Sequence, residues 1–362
     1  MRSIRVSIAT VTVILICFGV VMIYSASGIY ALQRLGKSTY FLERHLLFLM
    51  VGFILALGVM AIDYRDIRKY SKPLMMLSVV MLCAVLVPGI GKSINGARRW
   101  FQIGAFSFQP SEFTKVAVLI YVSDFLARKQ NKIRHFRQGF FPVLVVLAVI
   151  CLLILKQPDL GSSVLIATIV IILLFVAGAD IRHIGFLGVL ALPVVYFLIV
   201  RVPYRLNRIL AFLDPWETSQ GIGFQLTQSQ IALGSGGVFG LGLGKSVQKL
   251  FYLPAAHTDF ILSIVGEELG LLGALMVVIL FAVFVWQGAR IAKRTIDPFG
   301  YFLSIGIVTM IGLQAVINIG VSIGMLPTKG LPLPFVSYGG SALVFNLIAV
   351  GLLLNISRVQ EL

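Results

Sequence analysis

Ten long apolar runs, separated by shorter polar stretches, limit most strongly how this chain can fold. A helix needs roughly 20 mainly apolar residues to cross the hydrocarbon core of a bilayer. The pattern therefore predicts an all-α polytopic membrane protein with about ten transmembrane helices, in a single transmembrane domain over residues 1–362. The runs lie near 6–27, 45–62, 73–90, 111–127, 141–157, 162–179, 184–200, 259–289, 300–324 and 338–357.

The composition supports a membrane protein. Hydrophobic residues make up 59% of the 362 residues and charged residues 12%, whereas a soluble domain has about 45–50% and about 25%. The net charge of +16 could suggest nucleic acid, but the basic residues are scattered through short loops and form no nucleic-acid-binding motif. Lipid headgroups and an anionic membrane substrate fit this charge better.

Two features that could indicate secretion have plainer interpretations. Cys17, Cys83 and Cys151 all lie in apolar runs, where we expect small buried hydrophobes rather than disulfides or metal ligands. The first apolar run resembles a signal peptide, but it is too long for one and nine more runs follow it. We therefore expect it to be the first retained span.

The distribution of basic residues predicts the orientation. An even number of spans places both termini on one side, which carries 16 Lys and Arg residues, against 13 on the other side. Five of those 13 lie in one long loop, and long loops count less in the positive-inside rule. We therefore expect a multi-pass membrane protein with both termini in the cytoplasm. The outer side is still unusually basic, which indicates an anionic ligand there or, more plainly, contacts with lipid.

One connection, residues 201–258, is much longer than the others. Loops of this length are usually functional or disordered, but this one is rich in glycine and aromatic residues, which favours an ordered structure. We expect a large extracytoplasmic loop that folds over the outer mouth of the bundle, with short helices near 205–213 and 223–233. Its glycine run at 234–244 has no preceding strand, so a turn-rich loop is favoured over a nucleotide site.

Asp259 lies where this loop runs into the eighth apolar run. An ionisable group at a membrane segment is costly and is therefore a candidate for function. The alternative is a helix N-cap, which Asp favours. A partly desolvated Asp has a raised pKa and can act as a general base. His257, two residues earlier, is either an orienting partner or an interfacial side chain, and its spacing indicates no metal site.

Two further ionisable pairs lie in apolar runs. Glu267 could share the helix face of Asp259, although an ion pair of Glu267 or Glu268 with a cation of a neighbouring span is slightly favoured. Glu112 and Lys115 are spaced for an intrahelical ion pair. With equal weight, Lys115 could instead point at an anionic group inside the bundle.

Other basic and polar residues flank the predicted outer mouth. Arg98 and Arg99 lie beside Trp100, and the planar fork of donors of an arginine suits phosphate. Lys329 and Ser337 belong to a Pro- and Gly-rich segment just before the last span. Irregular backbone at membrane depth is tolerated where it lines a cavity or is buried in protein, so this segment is predicted to form a wall of the site.

Eight motifs, in order along the chain, resemble the SEDS family (shape, elongation, division and sporulation), which includes RodA, FtsW and SpoVE. Each is weak alone, but together they cover nearly the whole length. They are G-A-R-R-W at 96–100, Q-P-S-E-F-T-K at 109–115, P-D-L-G at 158–161, D-P-W at 214–216, G-F-Q-L-T-Q-S at 223–229, L-P-A-A-H-T-D-F at 253–260, G-E-E-L-G at 266–270 and P-F-V-S-Y-G-G-S at 334–341.

This resemblance implies a peptidoglycan glycosyltransferase that polymerises lipid II at the outer face of the cytoplasmic membrane. Asp259 matches the essential Asp of the family, and we expect it to be the general base. No cofactor is evident, although a divalent cation (Mg or Mn) could assist. The expected partners are undecaprenyl-linked glycan, a class B penicillin-binding protein and the divisome or elongasome. The expected substrate-binding residues are Arg98, Glu112, Lys115, Arg205, His257, Glu268, Lys329 and Ser337.

Within the family, the segments at 240–250 and 324–331 are similar to the FtsW branch, which implies septal synthesis in cell division. Pro332 departs from that branch and is similar to RodA, so RodA-like elongation stays the nearest alternative. Two further classes are open: a lipid II flippase and a scaffold of the division machinery. A flippase needs charge along a transmembrane path, and a scaffold predicts that loss of the Asp259 carboxylate is harmless.

Overall fold

The computed structural model describes residues 1–94, 96–104 and 106–359 and is mainly helical. A small three-stranded antiparallel sheet interrupts the helices. Its strands are β1 (Gly91–Ile94), β2 (Ala97–Ile103) and β3 (Phe106–Phe108). The helices are α1 (Arg2–Leu35), α2 (Tyr40–Ala61), α3 (Tyr64–Ile67), α4 (Ser71–Ala84), α5 (Pro110–Lys129), α6 (Phe141–Lys156), α7 (Leu160–Val176), α8 (Ile181–Val200), α9 (Pro203–Leu213), α10 (Phe224–Ser235), α11 (Ile261–Arg294), α12 (Pro298–Ser322) and α13 (Gly340–Val359).

Each of the ten predicted runs contains a helix, which confirms the all-α polytopic class. Seven helices of the described chain are long and apolar enough to cross a membrane: α1, α2, α6 with the π-helical turn Phe136–Phe140 before it, α8, α11, α12 and α13. The other three runs form α4, α5 and α7. α4 and α7 have 14 and 17 residues, and α5 carries Glu112, Lys115 and Asp124 among its apolar residues.

Both termini lie at one end of the bundle. α2 and α13 run in the same direction, because Gly52 faces Val344 and Gly351 faces Ala56. A Cβ on Gly351 would lie 2.9 Å from the carbonyl oxygen of Ala56, so glycine allows this close packing. α1 runs opposite to α2, and the start of α1 and the end of α13 therefore lie together. We call this the terminal end, and the opposite end the site end.

The long loop contains the two predicted helices, α9 and α10. α10 packs against α11 and α12 at the site end. The hydroxyl of Ser229 on α10 is 2.6 Å from that of Ser263 on α11 and donates to the carbonyl of Ser322 at 2.8 Å. The loop is therefore fixed to the membrane-spanning helices by buried polar contacts.

α11 is broken at Gly270, whose φ of 68° and ψ of −164° are not helical. A break at membrane depth needs new partners for the freed backbone groups. The glycine run supplies them, which explains its composition, since a Cβ on Gly240 would collide with the backbone of α11. Four hydrogen bonds close the break: from the N–H groups of Leu241 and Gly242 to the carbonyls of Glu267 and Glu268, and from the N–H groups of Leu271 and Leu272 to the carbonyls of Gly237 and Val238.

Two features of the local structure differ from what the sequence predicts. The sheet was not predicted, because its strands are short and lie in the Gly-rich connection between α4 and α5. The cysteines are unpaired, but Cys17 and Cys83 are exposed on the outer surfaces of their helices rather than buried, and Cys151 is half-buried. In a bilayer, apolar side chains can face lipid, so an apolar run does not specify burial in protein.

Candidate active site

Asp259 lies at the site end in the turn that leads into α11. Its N–H donates to the carbonyl of Ala255 at 3.1 Å. The amide of Asn318 on α12 donates to the carbonyls of Asp259 and Leu331, at 2.9 and 2.8 Å. Phe260, not Asp259, is the N-cap of α11. The Asp259 carboxylate therefore has a different role from helix capping.

The surroundings of the Asp259 carboxylate make it more basic than an ordinary aspartate. Burial raises the pKa of Asp259 to about 6, and the positive charge of Arg208 acts in the opposite direction. Arg208, on α9, donates to the carbonyl of Thr328 at 3.0 Å and lies 4.4 Å from the ring centroid of Tyr204. The carboxylate is thus ionised near pH 7 and can accept a proton from a substrate.

The irregular segment 325–339 forms the wall beside Asp259. A Cβ on Gly330 would lie 3.5 Å from the Asp259 carboxylate, and a Cβ on Gly19 of α1 would lie 2.8 Å from Cα of Val336. The segment therefore reaches from Asp259 to α1. Its irregular backbone agrees with the prediction from its prolines and glycines.

Two predicted site residues lie in this segment. Burial lowers the pKa of Lys329, and its ammonium group has no hydrogen-bond or ion-pair partner among the described residues. Ser337 accepts a hydrogen bond from the N–H of Leu333 at 2.9 Å. Lys329 is therefore available to an anion, whereas Ser337 closes a turn of the wall.

His257 lies in an aromatic cluster rather than against the carboxylate. Its ring centroid is 5.8 Å from that of Tyr30, 4.5 Å from that of Phe41 and 5.9 Å from that of Tyr338. Its carbonyl accepts the N–H of Tyr338 at 2.9 Å. Burial lowers the pKa of His257 to about 4, so the imidazole is neutral at pH 7. His257 thus joins the Asp259 turn to α1, α2 and the wall.

Glu112 and Lys115 form an intrahelical ion pair in the first turn of α5. The charged atoms are 2.7 Å apart, and the side chains are 4% and 2% exposed. Gln109, at the start of the helix, donates its N–H to Ser341 at 3.0 Å, which places the pair just inside the site end. Of the two alternatives for this pair, the structure contains the ion pair.

The acidic residues of α11 bind the long loop. Glu267 accepts the hydroxyl of Ser246 and the N–H of Val247. Glu268 lies 2.7 Å from Lys249 and accepts the hydroxyl of Ser25 at 2.7 Å. The favoured interpretation, a packing ion pair, is therefore present, but its cation comes from the loop and not from a neighbouring span.

The predicted arginines lie at different places. Arg98 is exposed on β2, while its neighbour Arg99 fixes the sheet by donating to the carbonyls of Gln157 and Pro158. Arg205 donates to the carbonyl of Leu198 at the end of α8. Arg208, three residues further on, is the arginine whose charge acts on Asp259. The sequence places both arginines on one face of α9 but gives no means to choose between them.

Known proteins are similar to this chain over almost its whole length. The family model described as cell cycle protein, for FtsW, RodA and SpoVE, matches residues 5–362. A protein of Geobacter sulfurreducens named "Probable peptidoglycan glycosyltransferase FtsW" is 48% identical over 350 residues, 97% of this chain and 94% of that protein. Stage V sporulation protein E of Bacillus subtilis is 46% identical over 351 residues, 97% of this chain and 96% of that protein.

Solved structures share the fold. One is a chain from "Structural coordination of polymerization and crosslinking by a peptidoglycan synthase complex", with a TM-score of 0.79 and 27% identity over 98% of this chain and 97% of that chain. Another is the rod shape determining protein RodA of Thermus thermophilus, with a TM-score of 0.73, 27% identity and the same coverage. The motifs, the fold and these relatives agree: the chain belongs to the family of FtsW, RodA and SpoVE.

Proposed function

We propose that this protein is a peptidoglycan glycosyltransferase that polymerises lipid II and uses Asp259 as its general base. The observation that carries this assignment is the half-buried carboxylate at the site end, whose pKa is raised by burial and on which the charge of Arg208 acts. Relatives of nearly equal length carry the name of this activity. A base of this kind contributes typically 10²–10⁴-fold to a rate.

The reaction follows from the proton that Asp259 can accept. Asp259 takes the proton of the acceptor sugar's 4-hydroxyl, and the oxygen attacks the anomeric carbon of the growing chain. The bond from that carbon to the pyrophosphate breaks, and undecaprenyl pyrophosphate leaves. A single displacement inverts the configuration at the anomeric carbon.

The leaving pyrophosphate needs cations to stabilise its developing charge. Lys329 and Arg208 are the best placed, because Lys329 is unpaired within the described chain and adjoins Gly330 next to Asp259. Lys115 is already paired with Glu112, and Arg205 is bound to backbone. We therefore assign the first contact with pyrophosphate to Lys329 and Arg208.

A divalent cation (Mg or Mn) that assists the leaving pyrophosphate stays a separate hypothesis, because Mg²⁺ is often held by one or two carboxylates together with substrate phosphates. The described residues contain no group of three or more His, Cys, Asp or Glu side chains that could hold an ion. They therefore do not form a protein cage for magnesium or manganese, and each step is assigned to side chains.

The site end faces the outside of the cytoplasmic membrane in this proposal, and both termini lie in the cytoplasm. The excess of basic residues on the terminal side supports this orientation. It places Asp259 and the long loop where sugar chains are assembled into the wall.

A class B penicillin-binding protein is the proposed partner. The similar chain from a complex that coordinates polymerization and crosslinking supports this choice, because crosslinking is the work of a transpeptidase. The names of the FtsW relatives support septal synthesis over elongation.

Polymerisation of labelled lipid II by the purified protein with its transpeptidase tests the assignment. We expect a ladder of glycan products on a gel from the wild type and none from Asp259→Asn, with equal purification yield and melting temperature. A wild type that forms no ladder but moves lipid II across vesicle membranes would instead be a flippase. Equal ladders from both proteins would rule out Asp259 as the base.

A further inference from the structure

A lateral groove opens at the terminal end, between the start of α6 and the start of α8. Its volume is about 260 Å³, and its lining is almost wholly apolar and aromatic. It lies at the opposite end of the bundle from Asp259. α5 begins at the site end and runs to the terminal end, and α6 begins there. The lining residues are Phe136, Phe140, Phe141, Leu144, Val145, Ala148, His183, Phe186, Leu187 and Leu190.

His183 provides a polar group in this apolar lining. Its ring centroid lies 5.2 Å from that of Phe136 and 5.5 Å from that of Phe140. Its Nδ1 is buried and has no hydrogen-bond partner among the described residues. A buried polar atom without a partner is costly, so a ligand that reached Nδ1 would remove that cost.

The rim of the groove is basic. Arg137 lies in the π-helical turn beside Phe136, and Arg182 begins α8 beside His183. Both arginines are exposed, and neither forms an ion pair in the part of the chain that the structure describes. The acidic residue of this rim, Asp180, caps α8 by accepting the N–H of Arg182 at 2.9 Å. The rim therefore presents an excess of positive charge above an apolar groove.

α8 is loosely packed against the rest of the bundle. None of its residues is buried, although it is long and apolar enough to cross the membrane. It packs against α7 and α9, and the groove separates its first turns from α6. A bound acyl chain would fill this gap and join α8 to the bundle.

We propose that this groove is a binding site for an anionic phospholipid. One acyl chain lies along the groove, the phosphate binds Arg137 and Arg182, and an ester or headgroup atom reaches His183. Basic pockets between transmembrane helices are suited to such headgroups. The occupant has its headgroup at the terminal end, which distinguishes it from a substrate that reacts at Asp259.

Native mass spectrometry of the purified full-length protein tests the charged rim. Delipidated protein is incubated with phosphatidylglycerol or with phosphatidylcholine, and the bound fraction is measured. We expect preferential retention of phosphatidylglycerol and a loss of about 25-fold in Arg137→Gln/Arg182→Gln, since each of the two surface cations contributes about fivefold. The matched control, Lys293→Gln/Arg294→Gln, removes two exposed cations from the same end and should retain binding. An equal loss in both double variants would overturn the proposal.

A second variant tests the groove itself. Ala148→Phe fills the lining without changing any charge, and we expect it to lower phosphatidylglycerol binding while the melting temperature of the delipidated protein stays the same. Unchanged binding to Ala148→Phe would show that the lipid lies elsewhere. Preferential retention of undecaprenyl phosphate over phosphatidylglycerol, abolished by Ala148→Phe, would also overturn the proposal, because the groove would then bind a polyprenyl chain.

Discussion

Asn318 holds the backbone of Asp259 in place: its amide nitrogen lies 2.9 Å from the Asp259 carbonyl and 2.8 Å from that of Leu331. One buried side chain on α12 thus ties the turn of the proposed base to the wall that carries Lys329. Because the wall and the turn are both irregular, their relative position depends on such contacts.

We therefore expect Asn318→Leu to lower kcat of lipid II polymerisation by about 10–100-fold, since small displacements of a reacting group are costly. Loss of the two hydrogen bonds should also destabilise the fold by about 1–3 kcal/mol. Asn346→Leu removes a similarly buried amide that contacts Gln314 and is the matched control. If Asn346→Leu lowers kcat as much as Asn318→Leu, the positioning role is wrong.

The buried pair of Lys249 and Glu268 is expected to hold the long loop on the bundle. Removing one partner of a buried ion pair costs about 3–5 kcal/mol, so Lys249→Met or Glu268→Gln alone should lower the melting temperature strongly. The double variant should recover part of the loss, because no charge is left unpaired. The exposed pair Lys37–Glu43, with side chains 57% and 54% exposed, is the control, and Lys37→Met should leave the melting temperature unchanged. Additive losses in the double variant would show that the two charges are not coupled.

Gly270 is required by the break in α11. Its positive φ is unfavourable for any other residue, and a Cβ there would collide with the backbone of Val238. Gly270→Ala should therefore release the glycine run and lower the melting temperature by several degrees. Gly58→Ala is the control, because Gly58 lies within α2 with nothing within 4 Å of a Cβ. A melting temperature of Gly270→Ala equal to that of Gly58→Ala would show that α11 is continuous in solution.

Lys329 is expected to act as a cation for the leaving pyrophosphate. Lys329→Met should lower kcat/KM by about 10²-fold or more, the usual effect of losing one group that stabilises charge in the transition state. Lys329→Arg keeps the charge and should retain part of the activity. Lys245→Met removes an exposed lysine of the long loop and should leave kcat/KM unchanged. If Lys329→Met keeps nearly the activity of the wild type, another cation stabilises the leaving pyrophosphate.

The sequence predicts what local chemistry determines. Apolar runs specify the membrane helices, and a carboxylate at the edge of such a run identifies Asp259, because both signals lie within a few residues. The partners of the broken helix lie some 30 residues upstream of Gly270, so no local pattern indicates the break. Asn318 is hidden in an apolar run, and only the fold shows that it reaches Asp259.

The sequence also cannot show which of Arg205 and Arg208 acts on Asp259, because that depends on tertiary packing. Both lie on α9 at a spacing that places them on one face, and the distinction depends on which side of the helix meets α8 and which meets residue 328. Such information is tertiary and becomes visible only when the elements are packed.

The pH dependence of kcat/KM for lipid II polymerisation tests the central claim most directly. Asp259 must be deprotonated to act as a base and its pKa is about 6, so the rate should fall below pH 6. Arg208 lowers this pKa, and Arg208→Gln should therefore move the acid limb to higher pH. A limb near pH 6 that shifts upward in Arg208→Gln is the result we predict. A flat profile from pH 5 to 7, or a limb that Arg208→Gln leaves in place, would contradict the assignment of Asp259 as the base.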